Sequence, residues 1–363
     1  MRILELYAGI GGMHYALQES GVDGVIVAAI EISTVANDVY KHNFPSAKLL
    51  NRNIESLTVP EIEDMNVDAI FMSPPCQPFT KNGLQKDADD ARTISFFHIL
   101  ELIPQLTNLN YILLENVEPF ERSASREVLI SCLEKSKFNY KECILSPCDF
   151  GVPNNRSRYF LIAKKNTMPF CLLDFKESRV SSNEIIEILS NSDLYKQMKA
   201  KYSDLSSTEF PSLSKFIENN SIDNKSVLEA NLPVALLEKH LNVLDIRNSE
   251  SKGSCCFTSA YGRYAEGTGS VYSPLSKTEI DRILDELKKH NSTKSNDWME
   301  LAKSLKLRYF TPQEVSKIMC FPDTFSFPNS INKKQKYKLI GNSMNIHVVS
   351  HLILLLDHVP NNK

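Results

Sequence analysis

The chain has 363 residues and 42% hydrophobic content, which suffices for a large core, and its length favours two domains over one. A formal net charge of −3 excludes the broad basic surface of a protein that coats duplex DNA, so a nucleic acid could bind only at a local patch. No signal-peptide pattern opens the sequence, and the apolar run at 351–359 is too short to span a bilayer, so we expect neither secretion nor a membrane anchor.

Short apolar runs alternate with segments of helical length through the first part of the chain. The predicted strands are 2–7, 25–30, 68–72 and 111–116, and the predicted helices are a stretch ending at Ser20, 32–43, 92–107 and 122–137. This alternation is typical of βαβ units and predicts a parallel sheet. A further strand pair near 140–146 and 158–163 is expected to close the sheet with a hairpin-like edge.

The second part of the chain has a different composition. Residues 176–232 are rich in Ser, Asn and Lys, which indicates an insertion that is partly mobile. The segment 253–272 is dense in glycine, aromatic and hydroxyl residues, a composition that suits either backbone close to a ligand or a turn-rich loop. A regular pattern returns near Arg308, with Thr311 as a helix N-cap and Pro312 at the first helical position.

The eight cysteines are scattered along the chain without a CxxC pair. This spacing predicts reduced thiols rather than a disulfide framework, and no metal site. We therefore expect a protein of the cytoplasm or the nucleus.

The first predicted strand runs into the glycine-rich turn LYAGIGGM, and the second ends in Glu31. Gly9, Gly11 and Gly12 would let a ligand approach the backbone, and Glu31 could accept hydrogen bonds from a ribose. The turn departs from GxGxxG, so a dinucleotide is poorly supported. The glycines fit either a purely structural turn or a cofactor that carries adenosine without phosphate, such as S-adenosylmethionine.

The loop SPPCQPFT follows the third predicted strand. Pro74 and Pro75 restrict the backbone and hold Cys76 at the carboxyl edge of the sheet, where ligands bind in open α/β sheets. Such a cysteine is either an inert buried thiol or a nucleophile.

Two further groups could complete a site around this thiol. Glu115 and Asn116 end the next predicted strand, and Arg156 and Arg158 occupy alternate positions that could project from one strand face. The arginine pair is also compatible with an ordinary strand edge.

The ordered set YAGIGG, Glu31, PPCQ, ENV, RSR and GNSMN resembles the cytosine-5 methyltransferase superfamily, and CFT at 256–258 with YGRYAEGTGS resembles its tRNA-methylating branch. The resemblance covers most of the chain outside 176–232. It implies an α/β, Rossmann-like S-adenosylmethionine-dependent methyltransferase fold with a mostly parallel seven-stranded sheet, an antiparallel edge strand and a smaller target-recognition domain. The implied catalytic domain is 1–165, completed by 305–363, and the implied target-recognition domain is 166–304.

The resemblance also assigns roles to residues. It places S-adenosylmethionine, with S-adenosylhomocysteine as its product, on Tyr7, Ala8, Gly9, Ile10, Gly11, Gly12, Glu31, Ile32, Asn53, Ile54, Pro75, Asn342 and Ser343. It makes Cys76 the nucleophile that adds to carbon 6 of cytosine, Glu115 the acid that protonates N3, and Arg158 with Arg156 the holders of the base carbonyl. The expected substrate contacts are Gln77, Asn116, Cys256, Phe257 and Thr258.

Two features favour RNA over DNA as the substrate. The DNA-acting relatives usually carry Gln where this chain has Asn154, and the CFT segment points to the tRNA branch. An anticodon loop, with aspartate tRNA the implied molecule, already presents unstacked bases to a monomeric enzyme. A DNA cytosine-5 methyltransferase and a nucleic-acid-binding relative that has lost catalysis remain alternatives, while a nicotinamide dehydrogenase lacks its phosphate-binding motif.

Overall fold

The computed structural model describes residues 1–75, 93–172, 179–200, 211–218, 227, 229–290 and 295–359. Its larger sheet contains β1 (Arg2–Leu6), β2 (Val25–Ile30), β3 (Leu49–Leu50), β4 (Ala69–Met72), β5 (Tyr111–Val117), β6 (Phe138–Leu145) and β7 (Arg158–Lys165). The helices of this part are α1 (Gly12–Ser20), α2 (Thr34–Asn43), α3 (Val59–Asp64), α4 (Ile94–Leu102), α5 (Ala124–Lys135), α6 (Ser182–Leu189) and α7 (Asp193–Ala200).

The later part of the chain is mainly helical. Its elements are α8 (Val234–His240), β8 (Ile246–Arg247), β9 (Val271–Tyr272), α9 (Lys277–Leu287), α10 (Asn296–Ser304), β10 (Arg308–Tyr309), α11 (Pro312–Ile318), α12 (Lys333–Asn342) and α13 (Ile346–Asp357). The three short strands form a second sheet of order β10-β9-β8. Thr311 and Glu314 form a capping box at the start of α11, which confirms the predicted N-cap.

The larger sheet has seven strands in the order β3-β2-β1-β4-β5-β7-β6. The first five strands of this order pair in parallel, while β7 runs antiparallel to both of its neighbours. The predicted sheet is therefore confirmed, with the antiparallel strand one place in from the edge, because β6 takes the edge position. The strand order reverses beside β1, so the carboxyl ends of β1 and β4 form a crevice where open α/β sheets bind ligands.

The last helix returns to the start of the chain. All residues of α13 from Ile346 to Leu356 are buried, and the helix packs along α1. The stretch Lys333–Asp357 is long and apolar enough to cross a membrane by length and composition alone, but 83% of its apolar window is buried inside the protein. Its burial is that of a core element.

The region predicted to be a mobile insertion is ordered in part. Helices α6 and α7 bury Ile185, Leu189, Tyr195 and Met198 and pack against α13, and α7 also packs against α1. Apolar residues at helical spacing give these helices a core-facing side despite their polar composition. Residues 179–200 therefore lie against the larger sheet's helices and not with the second sheet.

Candidate active site

The glycine-rich turn between β1 and α1 has a backbone that few residues other than glycine adopt. Gly9 and Gly11 have φ of 54° and 87°, and Tyr7 shares this conformation at 56°. A Cβ at Gly11 would lie 2.5 Å from Cε2 of Phe44, and one at Gly12 would lie 3.2 Å from Oγ of Ser343. The glycines at these two positions therefore permit close packing, whereas Gly9 leaves its backbone open to a ligand.

Glu31 closes this turn from the tip of β2. Its Oε2 accepts a hydrogen bond from the Gly9 backbone N–H at 3.0 Å, and its Oε1 accepts one from Ser33 N–H at 2.7 Å. Each oxygen keeps a second lone pair, so the carboxylate can still accept hydrogen bonds from a ribose. Ile32 beside it is 66% exposed, an apolar surface suited to a flat base. The turn and Glu31 fit a nucleoside cofactor.

The other predicted cofactor residues lie at the same edge of the sheet or contact the glycine turn. Asn53 caps the short helical turn Ile54–Ser56, and Ile54 is buried, so only its backbone could face a ligand. The close approach of Gly12 to Ser343 brings the 341–343 segment onto the turn, as predicted, and leaves Asn342 exposed. Ala8 and Ile10 are buried, and Pro75 is half-buried at the end of the described segment.

Glu115 lies near the carboxyl end of β5 in an enclosed position. Its side chain is 12% exposed, and Oε1 lies 3.5 Å from Nε of Arg158. Burial raises the pKa of Glu115 above its ordinary value, and the charges of Arg158 and Arg156 offset only part of that effect. A carboxyl group in this environment is suited to hold and donate a proton.

Asn116 supports the proline loop. Its side chain is buried, and Nδ2 donates a hydrogen bond to the carbonyl of Pro74 at 3.3 Å. Asn116 thus anchors the loop, and its predicted substrate contact stays a prediction. Cys76 and Gln77, which follow Pro75, lie outside the described residues.

Arg156 joins two distant parts of the chain. Its Nη1 donates to the carbonyl of Phe257 at 3.0 Å, and its Nη2 donates to the carbonyls of Gly341, at 3.1 Å, and Ser343. The residue is buried and precedes β7. The prediction that Arg156 and Arg158 project from one face of a strand is therefore wrong, because only Arg158 belongs to the strand. Arg156 is a positioning residue that fixes both segments beside the sheet.

The Cys256 sulfur contacts the guanidinium groups of both arginines. Its Sγ lies 3.2 Å from Nη1 of Arg156 and 3.9 Å from Nη2 of Arg158. Burial opposes ionisation of this thiol, but the two guanidinium charges outweigh it and lower the pKa of Cys256 below its ordinary value. The side chains of Glu115, Arg158 and Cys256 thus form a compact set of polar groups.

The rest of the CFT segment packs against the protein. Phe257 is buried and packs edge-to-face on Tyr261 and Phe310, and the predicted substrate contacts of Phe257 and Thr258 stay predictions. The Thr258 N–H donates to the carbonyl of Thr268 at 2.9 Å, which closes the base of a loop.

Two residues of the site were missed as positioning groups. Asn154 donates from Nδ2 to Oγ of Ser254 and to the carbonyl of Cys255, both at 3.1 Å, and so holds the segment before CFT. Gly341 lies against the backbone of Thr258, because a Cβ there would come within 2.3 Å of the Thr258 carbonyl oxygen. The sequence GNSMN could have indicated the role of Gly341, because a glycine near the end of a helix can permit close packing.

Comparison with known proteins gives one consistent family. The family model described as "C-5 cytosine-specific DNA methylase" matches residues 1–356. A protein of Spodoptera frugiperda named "tRNA (cytosine(38)-C(5))-methyltransferase" is 45% identical over 98% of both chains. A human protein of the same name is 39% identical over 98% of this chain and 99% of its own.

Two further matches complete the comparison. A Dictyostelium discoideum protein, 37% identical over 98% of this chain and 96% of its own, is named "DNA (cytosine-5)-methyltransferase". Among solved structures, that of a Spodoptera frugiperda DNMT2 mutant matches with a TM-score of 0.83 and 42% identity, over 98% of this chain and 99% of that one.

Proposed function

The chain belongs to the C-5 cytosine-specific DNA methylase family, and from that membership we propose that it methylates carbon 5 of a cytosine in a tRNA anticodon loop, with aspartate tRNA as the substrate. The enzyme class follows from the family, and the names of the Spodoptera and human relatives support tRNA and cytosine 38 as the target. The structural observation that carries the proposal is the Glu115 carboxyl beside Arg158, in a side chain only 12% exposed, at the sheet edge where the Cys76 loop begins.

The cofactor that we propose is S-adenosylmethionine. Glu31 would accept hydrogen bonds from its ribose, Ile32 would cover its adenine, and the open backbone at Gly9 would allow its amino-acid part to approach. When bound, S-adenosylmethionine supplies an electrophilic methyl group at this edge of the sheet.

The proposed chemistry begins with Cys76, because carbon 5 of cytosine is too weak a nucleophile to take a methyl group unaided. The Cys76 thiolate adds to carbon 6, the electron pair moves towards N3, and the protonated Glu115 donates its proton there. Carbon 5 then takes the methyl group. A base removes the proton from carbon 5, the Cys76 sulfur leaves with its electron pair, and N3 returns its proton to Glu115.

The arginines have separate tasks in this mechanism. Arg158 would donate to the carbonyl oxygen of the base while its Nε stays beside Glu115. Arg156 keeps the carbonyls of Phe257 and Ser343 in fixed positions, so the segment carrying Cys256 and the segment beside the glycine turn stay aligned.

The covalent step is tested by replacing the nucleophile. We expect Cys76→Ala to abolish methyl transfer and to form no denaturant-resistant complex with RNA carrying 5-fluorocytosine at the target position, which traps the adduct because fluorine cannot leave as a cation. The control is Cys171→Ala, since Cys171 is half-buried against α13 and contacts the carbonyl of Leu355. Unchanged methylation by Cys76→Ala would rule out the mechanism.

The substrate is tested by comparing methyl transfer to three nucleic acids. Tritium transfer from labelled S-adenosylmethionine is compared between an aspartate tRNA transcript, the same transcript with its target cytosine changed to uracil, and a DNA duplex. Bisulfite mapping should find one modified cytosine in the anticodon loop. The family description and the Dictyostelium relative favour DNA as the second candidate, and label in the duplex but not in the tRNA would establish it.

We also propose that the protein acts as a monomer in the cytoplasm or nucleus. The seven described cysteines are free thiols, which suits a reducing compartment. Sedimentation with and without tRNA, and fractionation of cells that express the protein, test these two points.

A further inference from the structure

The loop that follows CFT, residues 258–268, carries two adjacent side chains that point away from the core. Tyr264 is 55% exposed, and the guanidinium carbon of Arg263 lies 5.1 Å from the centre of its ring. Three residues earlier, Tyr261 is buried at the centre of an aromatic cluster. The fold therefore uses one tyrosine of this loop for packing and leaves the other on the surface.

The loop holds Tyr264 in a fixed place although its ring is exposed. The Tyr264 N–H donates to the carbonyl of Ala260 at 3.2 Å, and Oγ1 of Thr268 donates to the carbonyl of Tyr264 at 2.7 Å. The Thr258 N–H closes the base of the loop on Thr268. A side chain presented by an ordered backbone loses little conformational freedom when it binds, so the cost of ordering is low.

The base of this loop is attached to the candidate active site. Thr258 lies against Gly341, and the residue two positions earlier, Cys256, lies beside both arginines. Tyr264 is eight positions after Cys256, so their Cα atoms lie at most about 29 Å apart, and the closed loop makes the separation shorter. The exposed pair is thus within the span of a nucleic acid whose target base is at the site.

The chemistry of the pair suits a base and not a phosphate. An aromatic ring and a guanidinium plane both stack on the faces of unpaired bases, and any of the four bases offers such a face. A phosphate contact would need net positive charge, but Glu266 on the same exposed loop opposes it. In a duplex the base faces are covered by their neighbours, which favours a single-stranded loop.

We propose that Arg263 and Tyr264 form a stacking platform for an unpaired base that flanks the target cytosine in the bound RNA. This inference rests on the proposed tRNA substrate and names a second contact of that substrate. The platform acts in binding and takes no part in the chemical steps.

The test uses the full-length protein and the variants Tyr264→Ala, Tyr264→Phe and Arg263→Ala. We expect Tyr264→Ala to raise KM for the tRNA transcript by about 5- to 150-fold with kcat nearly unchanged, the range expected for one lost base stack. Tyr264→Phe should stay near wild type because the ring is kept, and Arg263→Ala should raise KM by a smaller factor. Val243→Ala, at an exposed apolar residue outside the loop, is the matched control.

A spectroscopic signal separates stacking from a change in folding. An RNA stem-loop with 2-aminopurine at successive loop positions should show fluorescence quenching by the wild-type protein at one position, and Tyr264→Ala should lose that quenching while its melting temperature is kept. A KM for Tyr264→Ala within twofold of wild type, or equal losses for Tyr264→Phe and Tyr264→Ala, would overturn the platform.

The two proposals fail in different ways. If the wild-type protein leaves tRNA unmethylated, the proposed substrate is wrong, and the quenching assay alone then decides on the platform. If tRNA is methylated and no loop position is quenched, the substrate stands and the platform is overturned.

Discussion

In the proposed mechanism the Glu115 carboxyl donates the proton, and its environment makes a specific variant informative. Glu115→Gln keeps the size and polarity of the side chain but has no acidic proton, so we expect kcat to fall by roughly 10²- to 10⁴-fold, the range for a lost general acid. The control is Glu118→Gln, three residues further along the chain and exposed. Single-turnover methyl transfer measures the effect, and a fall of less than about tenfold would contradict the assigned role.

The raised pKa of Glu115 also predicts how kcat depends on pH. Because burial raises its pKa, the carboxyl keeps its proton to a higher pH than a solvent-exposed glutamate would. The proposed mechanism needs the acid form of Glu115, so kcat should fall as the pH rises through that pKa. In Glu115→Gln this alkaline fall should be absent, whatever the remaining rate.

At the residue scale the sequence predicted identities better than roles. Glu31 and Glu115 could be assigned because a carboxylate after an apolar strand has few structural explanations, and the structure places both at the carboxyl edge of the sheet. The contacts of Arg156, Asn116 and Phe257 within the protein could not be predicted, because their partners are backbone carbonyls or rings far away in the sequence. A motif does not tell which side chain of a cluster faces the ligand and which one holds the cluster together.

At the scale of elements, the joint between α12 and the CFT segment depends on one missing side chain. Gly341 lies near the end of α12, and a Cβ there would come within 2.2 to 2.3 Å of the backbone of Thr258 and Ser259. Backbone atoms cannot move aside as a flexible side chain can, so Gly341→Ala must push the two segments apart.

We therefore expect Gly341→Ala to lower kcat/KM for tRNA by at least tenfold, since Cys256 and the loop at 258–268 would both shift. The matched control is Gly253→Ala, because nothing lies within 4 Å of a Cβ at that position and its backbone is not left-handed. Methyl-transfer kinetics and circular dichroism measure the result, and equal activity of the two variants would show that the joint tolerates displacement.

The strands and helices could be predicted where the apolar pattern of the sequence was long enough to show a period. The bounds of β1, β2, β4, β5, β6 and β7 lie within two residues of the predicted ones, whereas β3 and α3 were not predicted. A strand of two residues and a helix of six offer too few positions for a period to be recognised. Helix α4 ends at Leu102, earlier than predicted, because Pro104 lies in the short 3₁₀ turn that follows.

At the scale of the whole molecule, a buried acid makes stability depend on pH. Glu5 in β1 is fully buried, and although Tyr40 donates a hydrogen bond to it, burial raises its pKa to about 8 from 4.5. Between these values the folded protein keeps a proton that the unfolded chain has lost, so the free energy of unfolding falls as the pH rises. Burial lowers the pKa of His14 to about 4 from 6.5, and this has the opposite effect below pH 6.5.

Glu5→Gln isolates this contribution. The variant should gain stability relative to wild type as the pH rises from 6.5 to about 8, and the difference should level off above that. Urea unfolding at several pH values measures it, with the exposed Glu101→Gln as the control for loss of one carboxylate. A difference between Glu5→Gln and wild type that stays constant over this range would show that Glu5 ionises alike in both states.

At the scale of the whole molecule, the sheet could be predicted from the sequence, but the packing of helices from distant segments could not. The alternation of strands and helices predicts the parallel sheet because each βαβ unit is local in sequence. The packing of α6 and α7 on α13, and of α7 on α1, joins segments roughly 170 residues apart in the sequence, and no short-range pattern carries that information.

The return of the chain to its own beginning has a consequence for biosynthesis. Arg156 holds the Gly341 and Ser343 carbonyls, Ser343 lies against Gly12, and α13 covers α1. A nascent chain can complete the strands of the larger sheet once residue 165 has left the ribosome, but the site lacks one wall until residue 343 follows. The candidate site is therefore complete only after residue 343 has been synthesised, and we expect a polypeptide released before that residue to lack methyl-transfer activity.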